Sequence, residues 1–427
     1  MRDTQWMGSL GMAKGIRGQS GRALVCAAVL ALVQAALAAD AGRPASALAS
    51  ALEQAWRQHP QAAALDARDA EAQATRDIAG GLTPEPGAIA IASRNDRWNR
   101  DRGQQEYEVE LATPLWLPGQ KAAREDAAAS QVDEVAARRI ALRWALAGEL
   151  REAWWALAAA RNTRTLAARR LETARALETA VRRRYETGDL SRIDRNLAQS
   201  EVLAAEAELI EADANRQQAE QFLRTLTGAG APVETDQEAP AQIAERGTEA
   251  VASHPLLVAA AAASRSARAR TTVAAESRRA APELALRVVR ERGEFAEPFS
   301  SSVGVRLRIP FSSDALNRRD AAAATAEASQ ADAEMLLART RVELEMERAQ
   351  RTLAAAGRQL AMAEERRALA ADNLRLAEKA FMLGESDLST LLRIRATAFD
   401  ADSFYDRQRV ARAAAISRLN QALGALP

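Results

Sequence analysis

The amino-acid sequence predicts a mainly α fold with a small β part: two copies of a long coiled-coil helical hairpin, and four membrane-type β-strands that close into a barrel only when several chains associate. Three observations carry this. Landmarks recur at a nearly constant offset: His59-Pro60 returns as His254-Pro255 after 195 residues, and Tyr185-Glu186-Thr187-Gly188 returns as Phe381-Met382-Leu383-Gly384 after 196. Two proline-free stretches of 69 and 70 residues, Gly119–Thr187 and Asp314–Leu383, repeat apolar residues every seven. Each half also carries a proline-bounded region in which apolar and polar residues alternate, the period of a strand.

At the N-terminus, Lys14, Arg17 and Arg22 precede an apolar run from Ala23 to Ala39, broken only by Gln34 and closed by Ala36-Leu37-Ala38. The run is short of the ~20 apolar residues of a spanning helix and ends in small residues, so residues 1–38 read as a secretory signal, with Met12 a candidate start. Cys26, the only cysteine, leaves with it, and the exported chain is expected to be thiol-free. The full chain has 58 basic against 57 acidic residues. With no dominant basic stripe, nucleic acid is excluded as a partner.

Beyond the signal the chain divides into a first repeat at 39–228, a Gly/Pro/acid-rich linker at 229–247 and a second repeat at 248–427. In each repeat a helix after His-Pro gives way to two strands. Those of the first, at about 87–95 and 104–116, contain Ile89 and Ile91, then Tyr107, Val109 and Leu111 alternating with Glu106, Glu108 and Glu110. Those of the second, at about 283–291 and 299–311, contain Leu284, Leu286 and Val288, then Val303, Val305, Leu307 and Ile309 alternating with Ser302, Gly304, Arg306 and Arg308. After Pro118 and Pro310 the period becomes helical, and either long helix can reach ~100 Å. The expected seam is Leu150, Leu157, Leu171 and Tyr185 in one helix and Met346, Leu353, Leu360, Leu374 and Phe381 in the other, interrupted by Arg164, Glu178 and Arg367. Gly188 and Gly384 end these helices, and shorter ones return through Leu226 and Leu423.

Strands of this length match a tilted transmembrane β-strand. Their alternation sends Tyr, Val, Leu and Ile to lipid, and Glu106, Glu108, Glu110, Arg306 and Arg308 to a watery lumen. Carboxylates at i, i+2 are read as lumen wall in preference to a cation site or an acid pair. Arg306 is expected to be replaceable at little cost, Leu307 not. Four strands cannot close a barrel, and lipid-exposed edges are not tolerated, so copies must associate; three would supply twelve strands. The alternative is a small soluble sheet packed on helix ends.

With these residues in place, the mature chain resembles the outer-membrane factors of the TolC family over the duplicated architecture, both strand pairs, both long helices and both tips. Thr113-Pro114-Leu115-Trp116-Leu117-Pro118-Gly119-Gln120-Lys121 is similar to the strand-to-helix junction of the family's CzcC-like, metal-efflux branch. The resemblance implies a homotrimeric exit duct in the outer membrane of a Gram-negative bacterium: a twelve-strand barrel in outer-membrane lipid continuing into a periplasmic helical tunnel. Its partners would be a periplasmic adaptor (a membrane fusion protein) and an inner-membrane pump of the RND type, with heavy-metal cations as one cargo. It further implies that Tyr185, Gly188, Phe381 and Gly384 form adaptor-docking tips and that Asp194, Ser386, Thr390 and Arg393 line a periplasmic gate. The second tip departs from the family: Phe381 lacks a tyrosine hydroxyl, Ser386 stands where a basic partner is often found, and Thr390 and Arg393 stand where some members place acidic rings. Closure is therefore expected to rest on packing around Leu374 and Phe381.

No P-loop, dinucleotide fingerprint, nucleophile elbow or HExxH is present, so no enzyme, cofactor or resident metal is expected. The two histidines, at equivalent places before proline, read as structural residues at helix starts. The competing functional class is an exported periplasmic coiled-coil protein, structural or adaptor, without a pore; an adaptor should show one hairpin and a lipoyl-like β-domain.

Overall fold

Proline and glycine punctuate the chain where its elements begin and end. The computed structural model describes residues 46–230, 238–240, 251–311 and 313–427. The expected signal at 1–38 and most of the linker at 229–247 lie outside them. The order is α1 (Ala47–Gln58), α2 (Pro60–Ala79), β1 (Ala88–Asn95), β2 (Gln105–Pro114), α3 (Gln120–Glu186), α4 (Arg192–Thr227), α5 (Pro255–Glu276), β3 (Glu283–Arg292), β4 (Ser300–Arg308), α6 (Asp314–Met382) and α7 (Leu388–Ala422). Pro60 and Pro255 sit in the first turns of α2 and α5, where a missing N–H leaves no hydrogen bond unmade. β4 stops at Arg308, because Pro310 can no longer donate to a ladder.

The helices form two antiparallel hairpins, α3 with α4 and α6 with α7; α5 packs between α3 and α6, α2 lies on α3, and α7 also meets α3. In α3 the expected leucines, Leu150, Leu157 and Leu171, are buried. In α6 the expectation needs correcting. Met346, Leu353, Leu360 and Leu374 are only half-buried, and the buried stripe is Val342, Ala349, Ala356, Ala363, Ala370 and Ala377, again at sevens. Ala198, Ala205 and Ala212 do the same on α4. A methyl at the centre lets two backbones approach closely, and the longer side chains then flank the contact instead of filling it.

The charged residues that interrupt the seam bind the hairpins at their margins. Arg164 pairs with Asp213 at 3.1 Å and Arg367 with Asp402 at 2.6 Å, while Glu178 pairs within its own helix with Arg182 at 3.4 Å. Arg170 bridges Glu201 at 2.9 Å and Glu208 at 2.6 Å. Each such pair is partly exposed and contributes little alone.

The largest core joins Leu48 and Leu52 of α1, the span Leu146–Ala158 of α3, Leu223 of α4, and Ala413 and Ala414 of α7, around a fully buried Trp154. Beside it, buried Arg151 pairs with Glu238 of the linker at 2.7 Å and donates to the Ala425 carbonyl at 3.0 Å. Asn420 donates to the Ala239 carbonyl at 2.9 Å, so the linker is tied to α3 and α7 at one point. His254 is buried against the Trp144 ring, 4.8 Å away and edge-on, and its Nδ1 accepts from the Leu256 N–H at 3.2 Å. His59 holds the equivalent position before α2 without a side-chain cap.

The four strands make one antiparallel sheet in the order β1-β2-β3-β4. The two hairpins meet through β2 and β3, with Val109 opposite Val288 and Leu111 opposite Leu286.

This packing can be probed by two measurements. Ala205 is fully buried in the α3–α4 seam against Leu171 and Ala174, and Ala204 beside it is exposed. Ala205→Leu is expected to cost about 1–3 kcal/mol, and Ala204→Leu less than about 0.5 kcal/mol, in denaturant unfolding followed by circular dichroism. Burial pushes the His254 imidazole down to about 4 from an ordinary 6.5. The unfolded chain therefore takes up this proton first as pH falls, so the contribution is intact above pH 6.5 and is lost between 6.5 and 4. His254→Asn, which can cap but not titrate, should flatten that part of the stability profile; an unchanged slope would assign it to other groups.

Candidate conduit wall and helical tips

Strand register sorts the sheet into two unlike faces. One carries the rows Ile89-Leu111-Leu286-Val305 and Ile91-Val109-Val288-Val303, with Leu284 and Leu307 beyond them. These side chains are exposed, Ile91 at 79% and Val305 at 73%. The other face carries Arg94, Glu106, Glu108, Glu110, Arg287, Arg306 and Arg308, and Glu110 on it is only 5% exposed. A sheet built for water buries its apolar face, and here the charged face is the more enclosed one.

The charged face is cross-linked over all four strands. Arg94 on β1 lies 3.7 Å from Glu106 on β2. Arg287 on β3 reaches Glu108 at 2.7 Å and Glu106 at 3.6 Å. Arg306 on β4 extends over β3 to Glu110 on β2, passing buried Ala285, its own register partner. Arg308 stands 3.9 Å from Glu283. The five residues expected on one wall, Glu106, Glu108, Glu110, Arg306 and Arg308, are thus brought together on one face. The expectation that Arg306 is replaceable at little cost does not fit this arrangement, since its guanidinium is the partner of the buried Glu110 carboxylate. Arg287 was missed, although its place opposite Glu110 is fixed once β2 and β3 are neighbours.

At the junction below the sheet, the Trp116 indole donates to the Gly81 carbonyl at 3.2 Å, and Arg124 stacks 5.3 Å over its ring. Leu115 N–H donates to the Pro282 carbonyl at 2.7 Å, joining the first repeat where β2 passes into α3 to the second where the chain enters β3.

The two helical tips share a backbone plan. Gly188 and Gly384 both adopt positive φ, 84° and 76°, where a side chain would strain the turn. Their amides donate to the Tyr185 and Phe381 carbonyls at 3.0 and 3.2 Å. Phe381 is buried among Leu177 and Val181 of α3, Ala198 of α4, Ala377 of α6, and Leu388 and Leu391 of α7, with Leu374 packed alongside, so both hairpins meet on this ring. Arg184 stacks on it at 5.0 Å; Tyr185 is half-buried with Arg195 over its ring at 5.3 Å.

Just beyond each tip the return helix is capped by the same device with its two residues exchanged. Ser191 caps α4, and the Asp194 carboxylate accepts from the Ser191 N–H at 2.9 Å and hydroxyl at 2.7 Å. At the positions 196 residues on, Asp387 is the cap and accepts from the Thr390 N–H at 2.9 Å. Hydrogen bonds from Thr390 and from the Ser389 hydroxyl hold the Asp387 carboxyl below the ordinary carboxylate range. Asp194 and Thr390 are therefore engaged in their own helix starts. Ser386 is half-buried beside the cap and Arg393 is exposed one turn on. The repeat offset was the signal that could have paired Asp194 with Thr390, and Ser191 with Asp387, in advance.

Among the described residues no helix is long and apolar enough to cross a membrane, and no group of three or more His, Cys, Asp or Glu side chains could hold a metal ion.

Residues 48–229 match the family described as outer membrane efflux protein. No curated protein matches the chain. Solved structures do: a membrane protein from Pseudomonas aeruginosa (20% identity, TM-score 0.73, 88% of this chain and 90% of that one) and the outer membrane protein VceC from Vibrio cholerae (16%, 0.74, 88% and 96%). The Neisseria gonorrhoeae MtrE outer membrane channel in its open state is a third (17%, 0.71, 88% and 89%). At these identities the likeness establishes the fold: a mainly helical chain with a small antiparallel sheet, shared with outer membrane channels.

Removing Arg306 should expose the enclosed side of this arrangement. Arg306→Leu leaves Glu110 without its cation and is expected to destabilise by about 1–3 kcal/mol, whereas Arg308→Leu, at a more exposed and longer pair, should cost less than about 1 kcal/mol. Equilibrium unfolding in detergent compares them, and equal costs would mean that the Arg306–Glu110 pair carries nothing special.

Proposed function

We propose that the protein is a passive exit duct of an efflux system in the outer membrane of a Gram-negative bacterium, extending into the periplasm. Efflux is transport and not catalysis; the protein is not an enzyme. The observation that carries the reading is the inverted sheet: an exposed apolar face, an enclosed charged face, and two open edges, β1 and β4. In lipid each edge must find a partner, and pairing β1 of one copy with β4 of the next satisfies both. Three copies give a homotrimeric barrel of twelve strands with the Arg–Glu ladder on the lumen side and the apolar rows on outer-membrane lipid. The helical hairpins then run into the periplasm as a tunnel.

The tips, with Tyr185, Gly188, Phe381 and Gly384, are the part furthest along the hairpins from the sheet and are assigned to docking a periplasmic adaptor, through which an inner-membrane RND pump delivers substrate. Asp194, Ser386, Thr390 and Arg393 surround the gate. Because Asp194 and Thr390 are held in helix caps, closure rests on the packing of Phe381 and Leu374 between hairpins. Heavy-metal cations are the proposed cargo, supported by the Thr113–Lys121 junction and its likeness to the CzcC-like branch.

Native mass spectrometry of the detergent-extracted protein should show a trimer; a monomer alone would remove the barrel. In planar bilayers Phe381→Ala should raise conductance more than Asp194→Ala, because one empties the contact between hairpins and the other frays a cap. The reverse order would mean that a polar latch holds the gate.

A further inference from the structure

The apolar face of the sheet ends differently at its two ends. Towards the helices it runs out in Leu284, Leu307 and Ile309, followed by exposed Phe311, without a cation among its outward positions. Towards the two turns, the outward positions of β3 read Leu284, Leu286, Val288, Arg290, Arg292: three apolar residues, then two arginines. Tyr107 stands opposite Arg290 in register, and Phe299 lies 6.3 Å from Tyr107. Both guanidinium groups converge on one ring, Arg290 at 4.9 Å and Arg292 at 4.8 Å from the centre of Phe299.

Neither arginine forms an ion pair among the described residues. Arg292 Nε donates to the Gly103 carbonyl at 3.1 Å, which fixes the side chain and leaves its terminal nitrogens available. Nearby Glu297 is turned to the Gly293 N–H at 3.0 Å. Two like charges are thus held side by side on an aromatic platform, at the rim of an apolar surface and at one end only. The inward face of the same sheet pairs its arginines with glutamates, so the unpaired state of these two is local. A ligand that complements the arrangement has apolar chains along Val288 and Val303 and an anionic oxygen cluster at the rim: a lipid with a phosphate-bearing headgroup. The planar guanidinium fork binds phosphate bidentately and stacks on aromatic faces.

We propose that Arg290 and Arg292, on the platform of Phe299 and Tyr107, form a binding site for the phosphate headgroup of lipid in the outer leaflet. This rests on the duct reading, which puts the apolar face in lipid and the turns at the outer surface. The site would act as a one-sided anchor that sets the depth of the barrel, since the opposite end of the face carries no equivalent.

The test uses the full mature chain in nanodiscs of phosphatidylcholine with a minority of phosphatidic acid. Lipids retained on the protein are counted by native mass spectrometry, and assembly and conductance are measured on the same preparation. The protein should retain phosphatidic acid over phosphatidylcholine by on the order of tenfold. Arg290→Gln/Arg292→Gln should abolish the preference, Arg290→Lys/Arg292→Lys should restore part of it, and inorganic phosphate should not displace the lipid. A conducting trimer without the preference, a preference unchanged in the glutamine variant, or displacement by inorganic phosphate would overturn the headgroup site while leaving the duct intact. Failure to insert or to conduct would overturn the duct reading, and this site with it.

Discussion

The rest of the structure depends on the pairing of β2 with β3. Each hairpin alone offers two short strands with one apolar and one charged side, an arrangement that is marginal in any solvent. Joining them aligns two apolar rows across all four strands on one side and lets arginines on β3 and β4 reach glutamates on β2, so that the charged side neutralises itself. The same pairing leaves β1 and β4 as edges, and those edges are what the proposed association of copies answers. It also sets the β2–α3 junction beside the segment that leads from α5 into β3, where the Leu115 N–H meets the Pro282 carbonyl.

Below the sheet the governing constraint changes from edge satisfaction to helix approach. Long helices held by large side chains would be set further apart, and here alanine at every seventh position brings them close. Charged pairs at the margins of the α3–α4 and α6–α7 seams contribute register more than energy. Where alanine lines a seam it supplies little apolar area, and the two largest cores gather bigger side chains: the Trp154 core around the linker anchor and the Phe381 core at the tips. Both collect residues from the two hairpins, whereas the seams between them are local to one. A gate that opens by moving hairpins apart would break the tip core and leave the seams whole.

Duplication explains much of the economy of the tips. Equivalent glycines, equivalent carbonyl acceptors and equivalent caps recur 196 residues apart, yet the capping acid and hydroxyl have exchanged positions. The cap is preserved because the first-turn amides of a helix need an acceptor, and either order supplies one. The aromatic side chains have diverged further: Phe381 is buried in the shared core, and half-buried Tyr185 lies beneath Arg195. One tip therefore holds the hairpins together and the other offers a polar aromatic surface.

By itself the sequence determined the kinds of element and their order, because period and punctuation are local properties. Proline-free heptads, alternating strands and recurring Gly tips needed no knowledge of neighbours, and the two faces of each strand came from parity alone. Tertiary structure decided which residue of a heptad is central, since whether alanine or leucine occupies the seam depends on how closely the partner helix comes. It decided that Arg306 serves Glu110, a contact that crosses an intervening strand, and that Asp194 is bound within its own helix start. It also decided that Arg290 and Arg292 share one aromatic ring, because the turn that brings Phe299 back to them is a matter of three-dimensional closure that no local pattern records.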